Sequence, residues 1–338
     1  MVFRSSNLLD DLKHDRLLNI SIFRVISMLL IVLYHCMCYN AGIWNYPSVE
    51  PDNVIYILAQ IIVYLALPFF FFISGYLYSY IYIYKNGYRN WRKFLISKLK
   101  RLILPTISWT IIYYIVIPSD FSIWELLSGI RHLWFLPTLF CVFIIAKIIS
   151  PVFFLKGKPF IDILIGLGLM AISIVINRKY GELLVGNLTH YIVYFLGGMI
   201  LFKHRIFVMN RSFAIALLLL LICMHCLILL FPLFRFQSIV DVIIVIAISG
   251  LILELLTAVR LNPDSYKTSV LKNLDKNSMG IYLVHQVLIM LLFEYSLFEE
   301  LWLSNHSYIG PVVLFMLVFP MSWFFAAVKR KLKLEPFL

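Results

Sequence analysis

Apolar residues run almost without interruption for stretches of 13 to 29 positions along this chain, and short charged clusters separate the stretches. A run of about 20 apolar residues wound into a helix matches the hydrocarbon thickness of a bilayer. Backbone groups in lipid must be satisfied within their own segment, which selects helices for runs of this length. The runs fall near residues 20–39, 54–82, 102–118, 133–150, 160–176, 190–202, 213–232, 238–256, 278–293 and 309–328. The second is too long for one straight crossing, and Pro68 in LALPFFFFISGYL supplies a kink because its nitrogen carries no N–H. The sixth is short for a crossing, so it is tilted, broken or misassigned. The pattern predicts an all-α integral membrane protein, a bundle of about ten transmembrane helices.

Composition supports that reading. Of the 338 residues, 62% are hydrophobic and 14% charged, against roughly 25% charged in a soluble domain. No stretch remains for a separate soluble domain, so residues 1–338 read as one transmembrane domain. The segment from Ile20 to Tyr39 contains Arg24 and lacks a small-residue cleavage site, which makes it a retained first helix and not a cleaved leader. All five cysteines lie in apolar runs and read as packing residues. There is no internal repeat and no low-complexity linker.

Charge then orients the bundle. With the N-terminus in the cytoplasm, 23 of the 29 lysines and arginines fall on the inner side, seven of them between Lys85 and Arg101. Arg131, Arg178, Lys179 and Arg235 fall outside, and Arg24 and Lys147 lie within runs. Cationic loops resist translocation, so both termini are expected in the cytoplasm. The net charge of +12 thereby belongs to the inner face, where it suits anionic lipid or a polyanionic substrate. It does not call for nucleic acid.

Ionisable groups inside a span are costly and turn towards the bundle interior or a watery cavity. In SIFRVISMLLIVLYHC, Arg24 and His35 are 11 residues apart, which puts them on one helical face with a rise of roughly 16 Å. Arg24 can snorkel to the interface or bind an anion. His35 can hydrogen-bond to a neighbouring helix or serve as a general base near neutral pH. His132 and Trp134 lie at the outer end of the fourth run, where belt chemistry and sugar binding both fit. His285 lies two turns into the ninth run, with Tyr282 on a similar face; it packs between helices or lines a channel. Ser74 and Gly75 suit close helix approach. Cys223, His225 and Cys226 sit within an apolar helix without a second ligand cluster and read as packing, and no zinc, phosphate-loop or serine-nucleophile motif is present.

An arginine followed by ten residues and a histidine in the first span resembles the acyltransferase 3 family of bacterial membrane acyltransferases. FFFFISGYL from Phe69, KLKRLILP from Lys98, HLWFLPTLF from His132 and NSMGIYLVHQ from Asn277 resemble that family's segments in the same order. The resemblance implies an acyltransferase that takes an acyl group, often acetyl, from cytoplasmic acyl-CoA to a hydroxyl of an extracytoplasmic polysaccharide or lipid-linked sugar. It implies His35 and Arg24 as catalytic residues, no metal, and residence in the bacterial cytoplasmic membrane. The family commonly has two arginines before the leucine and proline of KLKRLILP; here Lys98 replaces the first and Arg101 follows. Lysine keeps the charge but loses the bidentate fork. On this reading Lys98, Arg101 and His285 contact the donor, and His132 with Trp134 the acceptor. The rival class is a glycan or lipid transporter or flippase without acyl chemistry.

Overall fold

The computed structural model describes residues 5–45, 49–85, 87–117, 122–153, 159–180, 184–204, 211–230, 237–258, 270–294 and 308–332. Among them the regular structure is helical throughout: α1 (Ser5–Met37), α2 (Asn53–Tyr84), α3 (Trp91–Lys98), α4 (Leu104–Val116), α5 (Glu125–Ser128), α6 (Phe135–Phe153), α7 (Pro159–Tyr180), α8 (Leu184–His204), α9 (Arg211–Leu230), α10 (Gln237–Ala258), α11 (Val270–Glu294) and α12 (Ile309–Lys331). A π-helical turn, Leu99–Ile103, joins α3 to α4, and a 3₁₀ turn, Arg131–Trp134, leads into α6. Among the described residues, each apolar run falls largely on one helix. Seven segments among the described residues are long and apolar enough to cross a bilayer, beginning with Leu18–Met37 and ending with Ile309–Lys331.

The helices outrun the apolar stretches. α1 begins at Ser5, α11 at Val270 and α8 at Leu184, where Asn187, Thr189 and His190 interrupt the hydropathy. Hydropathy reads lipid contact, whereas backbone hydrogen bonding continues through polar residues of adequate helix propensity. The sixth run is therefore part of a continuous 21-residue helix. α2 likewise runs 32 residues with Pro68 inside it.

The chain divides into two compact units. The first takes residues 1–73, 207–237 and 243–326. Its core is built from one face of α1, where Val25, Met28, Val32 and Cys36 recur at three- and four-residue steps. Ile281, Ile289 and Phe293 of α11 and Leu314 and Val318 of α12 complete it. α1 and α11 run parallel: Arg24 meets Asp275, and further along both helices His35 meets His285. α9 lies at the margin of this unit, with only 11% of its apolar window buried against 67% for α11. Phe213, Leu219 and Leu220 stand exposed there, as lipid-facing residues do.

The second unit takes residues 74–206, 238–242 and 327–338. Tyr78, Phe143 and Phe195 cluster at its centre, with Phe143 and Phe195 edge to face at 5.3 Å. Gly75 makes that possible, because a Cβ there would lie 1.9 Å from the Phe195 carbonyl oxygen. Ser150 donates to the Ala146 carbonyl, so the Tyr78 hydroxyl donates to Ser150 at 2.8 Å. α7 and α8 are clamped by buried Asp162, which accepts from Lys203 at 2.6 Å and contacts His204.

Candidate functional site

The first unit carries two polar rungs between α1 and α11. Arg24 donates from Nε at 2.6 Å to Oδ1 of Asp275, and its Nη2 lies 2.5 Å from the same oxygen. Arg24 thus has a protein partner and does not simply snorkel. Ten residues on from Asp275, and eleven on from Arg24, the second rung joins His35 Nδ1 to His285 Nε2 at 2.9 Å. At 1.5 Å per helical residue the rungs are about 16 Å apart.

His285 is fully buried, and its Nδ1 donates to the Ile281 carbonyl at 3.2 Å, one turn back. His35 is half-buried in the last turn of α1. Trp44 stacks on its imidazole at 5.6 Å with the planes 25° apart, and Tyr34 meets its edge at 4.9 Å. The ring is thereby held by one hydrogen bond and two aromatic neighbours. In the turn after α1, Asn40 is buried, and among the described residues neither its Nδ2 nor its Oδ1 has a hydrogen-bond partner. A buried, unsatisfied amide is rare enough to mark a position where a polar ligand would be welcome.

Sequence reasoning found Arg24, His35 and His285 as polar residues in apolar runs, but not that the two histidines touch. It passed over Asp275 and Asn40. Asp275 offered a signal: its ten-residue spacing to His285 nearly matches the Arg24 to His35 spacing.

The second unit holds Lys98, Arg101, His132 and Trp134. Asn90 caps α3, its Oδ1 accepting from the Lys93 N–H at 2.9 Å. The π turn follows because Pro105 has no N–H to offer the Arg101 carbonyl; the Leu104 N–H instead bonds back five residues to Leu99. Lys98 and the neighbouring cations consequently point differently. Lys100 and Arg101 are exposed, while Lys98 is 6% exposed with Nζ 3.3 Å from the Phe143 ring centroid and 5.2 Å from that of Tyr88. Lys98 also donates to the Tyr88 hydroxyl at 3.5 Å. Burial pushes the Tyr88 phenol up, partly offset by the Arg101 charge, so that ring stays neutral. Lys147 of α6 is buried as deeply and lies 5.6 Å from the centroids of both Tyr82 and Trp91. Among the described residues neither lysine has a carboxylate within ion-pairing distance.

His132 and Trp134 leave their 3₁₀ turn in different company. His132 is buried, with Nδ1 3.1 Å from the Tyr113 hydroxyl. Trp134 faces Tyr191 at 5.5 Å. The turn is launched by Gly129 at φ 79° and Arg131 at φ 49°. A Cβ on Gly129 would meet the Leu133 carbonyl carbon at 2.6 Å, so the turn excludes other residues there. Among the described residues no group of three histidine, cysteine, aspartate or glutamate side chains is arranged to hold a metal.

The family model for acyltransferase 3, described as an acyltransferase domain, matches residues 17–328. No curated protein and no solved structure matches the chain.

Proposed function

The chain belongs to the acyltransferase 3 family and is an integral membrane acyltransferase, and from that premise we propose that it carries an acyl group from cytoplasmic acyl-CoA, acetyl-CoA in the first instance, to a hydroxyl of an extracytoplasmic polysaccharide or lipid-linked sugar. The observation that carries the proposal is His35, whose place eleven residues after Arg24 on a family-matched first helix coincides with an imidazole held by a buried partner at 2.9 Å.

The chemistry follows from what His35 offers. A neutral imidazole nitrogen takes the proton from the acceptor hydroxyl as its oxygen attacks the thioester carbonyl. The O–C bond forms, the C–S bond breaks, and the departing thiolate takes the proton back from the imidazolium to leave as CoA-SH. Arg24, on the same helix face and held by Asp275, is the second site residue on this proposal. Arg101 and Lys98 are donor contacts on this proposal, since phosphate groups favour basic side chains at a cytoplasmic mouth. His132 and Trp134 serve the acceptor. Residues 1–338 act as one transmembrane domain in the bacterial cytoplasmic membrane, with both termini inside.

Helix direction supports an even count above seven, either eight or the ten proposed here. If only the seven candidate segments crossed, α11 would be the sixth and would run opposite to α1. Parallel α1 and α11 call for an odd number of crossings among α7, α8 and α10, and all three crossing gives ten.

The test uses purified protein in nanodiscs with acyl-labelled acyl-CoA and a glycan acceptor, following both CoA-SH release and labelled glycan. His35→Ala is expected to lower transfer by at least about 100-fold, the lower end for loss of a general base. Full transfer by His35→Ala would reject the role of His35. Glycan flux across the bilayer without thioester consumption would instead support a transporter.

A further inference from the structure

The second rung has a proton polarity that can be read from its geometry. A carbonyl oxygen only accepts hydrogen bonds, so the contact from His285 Nδ1 to the Ile281 carbonyl requires the proton on Nδ1. In a neutral imidazole the other nitrogen then carries the lone pair. His285 Nε2 therefore accepts, and the group 2.9 Å away, Nδ1 of His35, must donate. With its proton committed to Nδ1, His35 presents a lone pair at Nε2.

We infer that His285 is a positioning residue which fixes His35 in the Nδ1–H tautomer, so that Nε2 is the nitrogen that receives the acceptor's proton. The inference rests on the general-base reading of His35 and deepens it. A neutral histidine side chain in water favours the opposite tautomer, with the proton on Nε2, which then has no lone pair to offer there. Holding the minor form requires a buried acceptor beside Nδ1, and a fully buried histidine whose own proton is spent on a backbone carbonyl is such an acceptor. The carbonyl lies on the same helix as His285, four residues back, so the acceptor's polarity is set within α11.

The arrangement also accounts for the charged state. Once His35 takes a proton at Nε2, its Nδ1–H bond to His285 becomes charge-assisted and stronger. Positive charge is shared with a second imidazole and need not reside on one ring. An aspartate or glutamate would do this with a full negative charge, at a far higher desolvation cost in a buried helix interface. A neutral imidazole performs the same orientation with none. Trp44, stacked on the His35 ring, opposes the rotation that would break the bond.

The experiment combines a spectrum with kinetics. Protein containing [15N]histidine, reconstituted in nanodiscs at a pH where both rings are neutral, has eight histidines, and His35 is assigned by difference from His35→Asn. The expected spectrum shows His35 with Nδ1 protonated and Nε2 bare. His285→Phe removes the acceptor and is expected to move the His35 proton to Nε2. It should lower kcat for acyl transfer by about 10² to 10⁴, the span seen when a general base is lost or its tautomer is inverted; a donor KM that stays nearly unchanged separates this role from the donor contact that the resemblance implies for His285. His285→Gln keeps an acceptor oxygen in reach and should recover kcat to within about tenfold of the parent, a small part of that span.

A His35 found with the proton on Nε2 in the unmodified protein overturns the inference, whatever the fate of the variants. So does a folded His285→Phe protein with unchanged His35 resonances or unchanged kcat. If the unmodified protein transfers no acyl group from acyl-CoA, the general-base reading falls, and the tautomer spectrum still decides whether His285 orients His35. If His285→Phe does not fold, the unmodified spectrum and His285→Gln decide it.

Discussion

The first unit partners Arg24 with an anion; the second pairs Lys203 with Asp162 but leaves Lys98 and Lys147 against rings. Arg24 lies against Asp275 at 2.5 Å. Lys98 and Lys147, as deeply buried as any charged residue of their unit that has a carboxylate partner, rest against Phe143 and Tyr88 or against Tyr82 and Trp91. A ring face returns about 0.5 to 2 kcal/mol to a nearby cation, whereas removing an ion from water costs several kcal/mol even after relaxation. The first arrangement is complete in itself. The second leaves positive charge in excess, which an anionic ligand would neutralise. On the proposed function that ligand is the donor's phosphate groups.

Breaking the first arrangement should have the largest effect. Asp275→Leu strands a guanidinium between helices, and Arg24→Met removes the cation from a half-buried carboxylate. Each is expected to lower the thermal unfolding midpoint by several degrees and to reduce acyl transfer severely. The double variant should unfold above either single one, because it removes both charges together. The double-mutant cycle should show a coupling of about 1.5 to 3 kcal/mol, the range for a charged hydrogen bond that is partly desolvated. Additive effects would show that the rung carries no special energy.

The same substitution in the second unit should behave in the opposite way. Lys98→Met keeps most of the side-chain volume and removes an ammonium that has no carboxylate among the described residues. The unfolding midpoint without substrate should stay level or rise, as when buried charge gives way to apolar atoms of similar size. Donor KM should rise by about tenfold, equivalent to one lost charge-assisted contact near 1.4 kcal/mol. A fall in stability as large as that of Arg24→Met would mean that the rings satisfy Lys98 and that its burial is structural.

The contrast also marks what the sequence could disclose. Apolar runs located every long helix, because the period and length of a lipid-facing helix are written locally. Their ends were not, since Ser5, Leu184 and Val270 start helices among polar residues that hydropathy counts as loop. Arg24 and His35 stood out as polar groups in lipid. His285 stood out too, but its contact with His35 spans 250 residues of chain and is purely tertiary. Asp275, flanked by Lys272 and Lys276, lies before the ninth apolar run and so did not stand out as a polar group in lipid. Lys147 was visible as an intramembrane lysine, yet nothing local connected it to Trp91 or Tyr82. Charge pattern thus disclosed which groups are costly, while the choice between carboxylate and ring as partner belonged to packing.

The smallest expected effect separates exposed from buried charge within the second unit. Arg101 is exposed at the π turn, whereas Lys98, three residues earlier, is enclosed. Exposed charges are screened over a Debye length of about 8 Å at physiological ionic strength and about 3 Å at 1 M salt, while buried ones are screened far less. Arg101→Gln should therefore raise donor KM by only about two- to threefold at low salt, and raising the salt should erase the difference from the parent. The Lys98→Met effect should survive the same salt. Measured together, the two series ask whether the donor meets Lys98 inside its ring of aromatics or merely senses the basic surface. If both effects vanish with salt, Lys98 acts through the surface field and the enclosed contact is wrong.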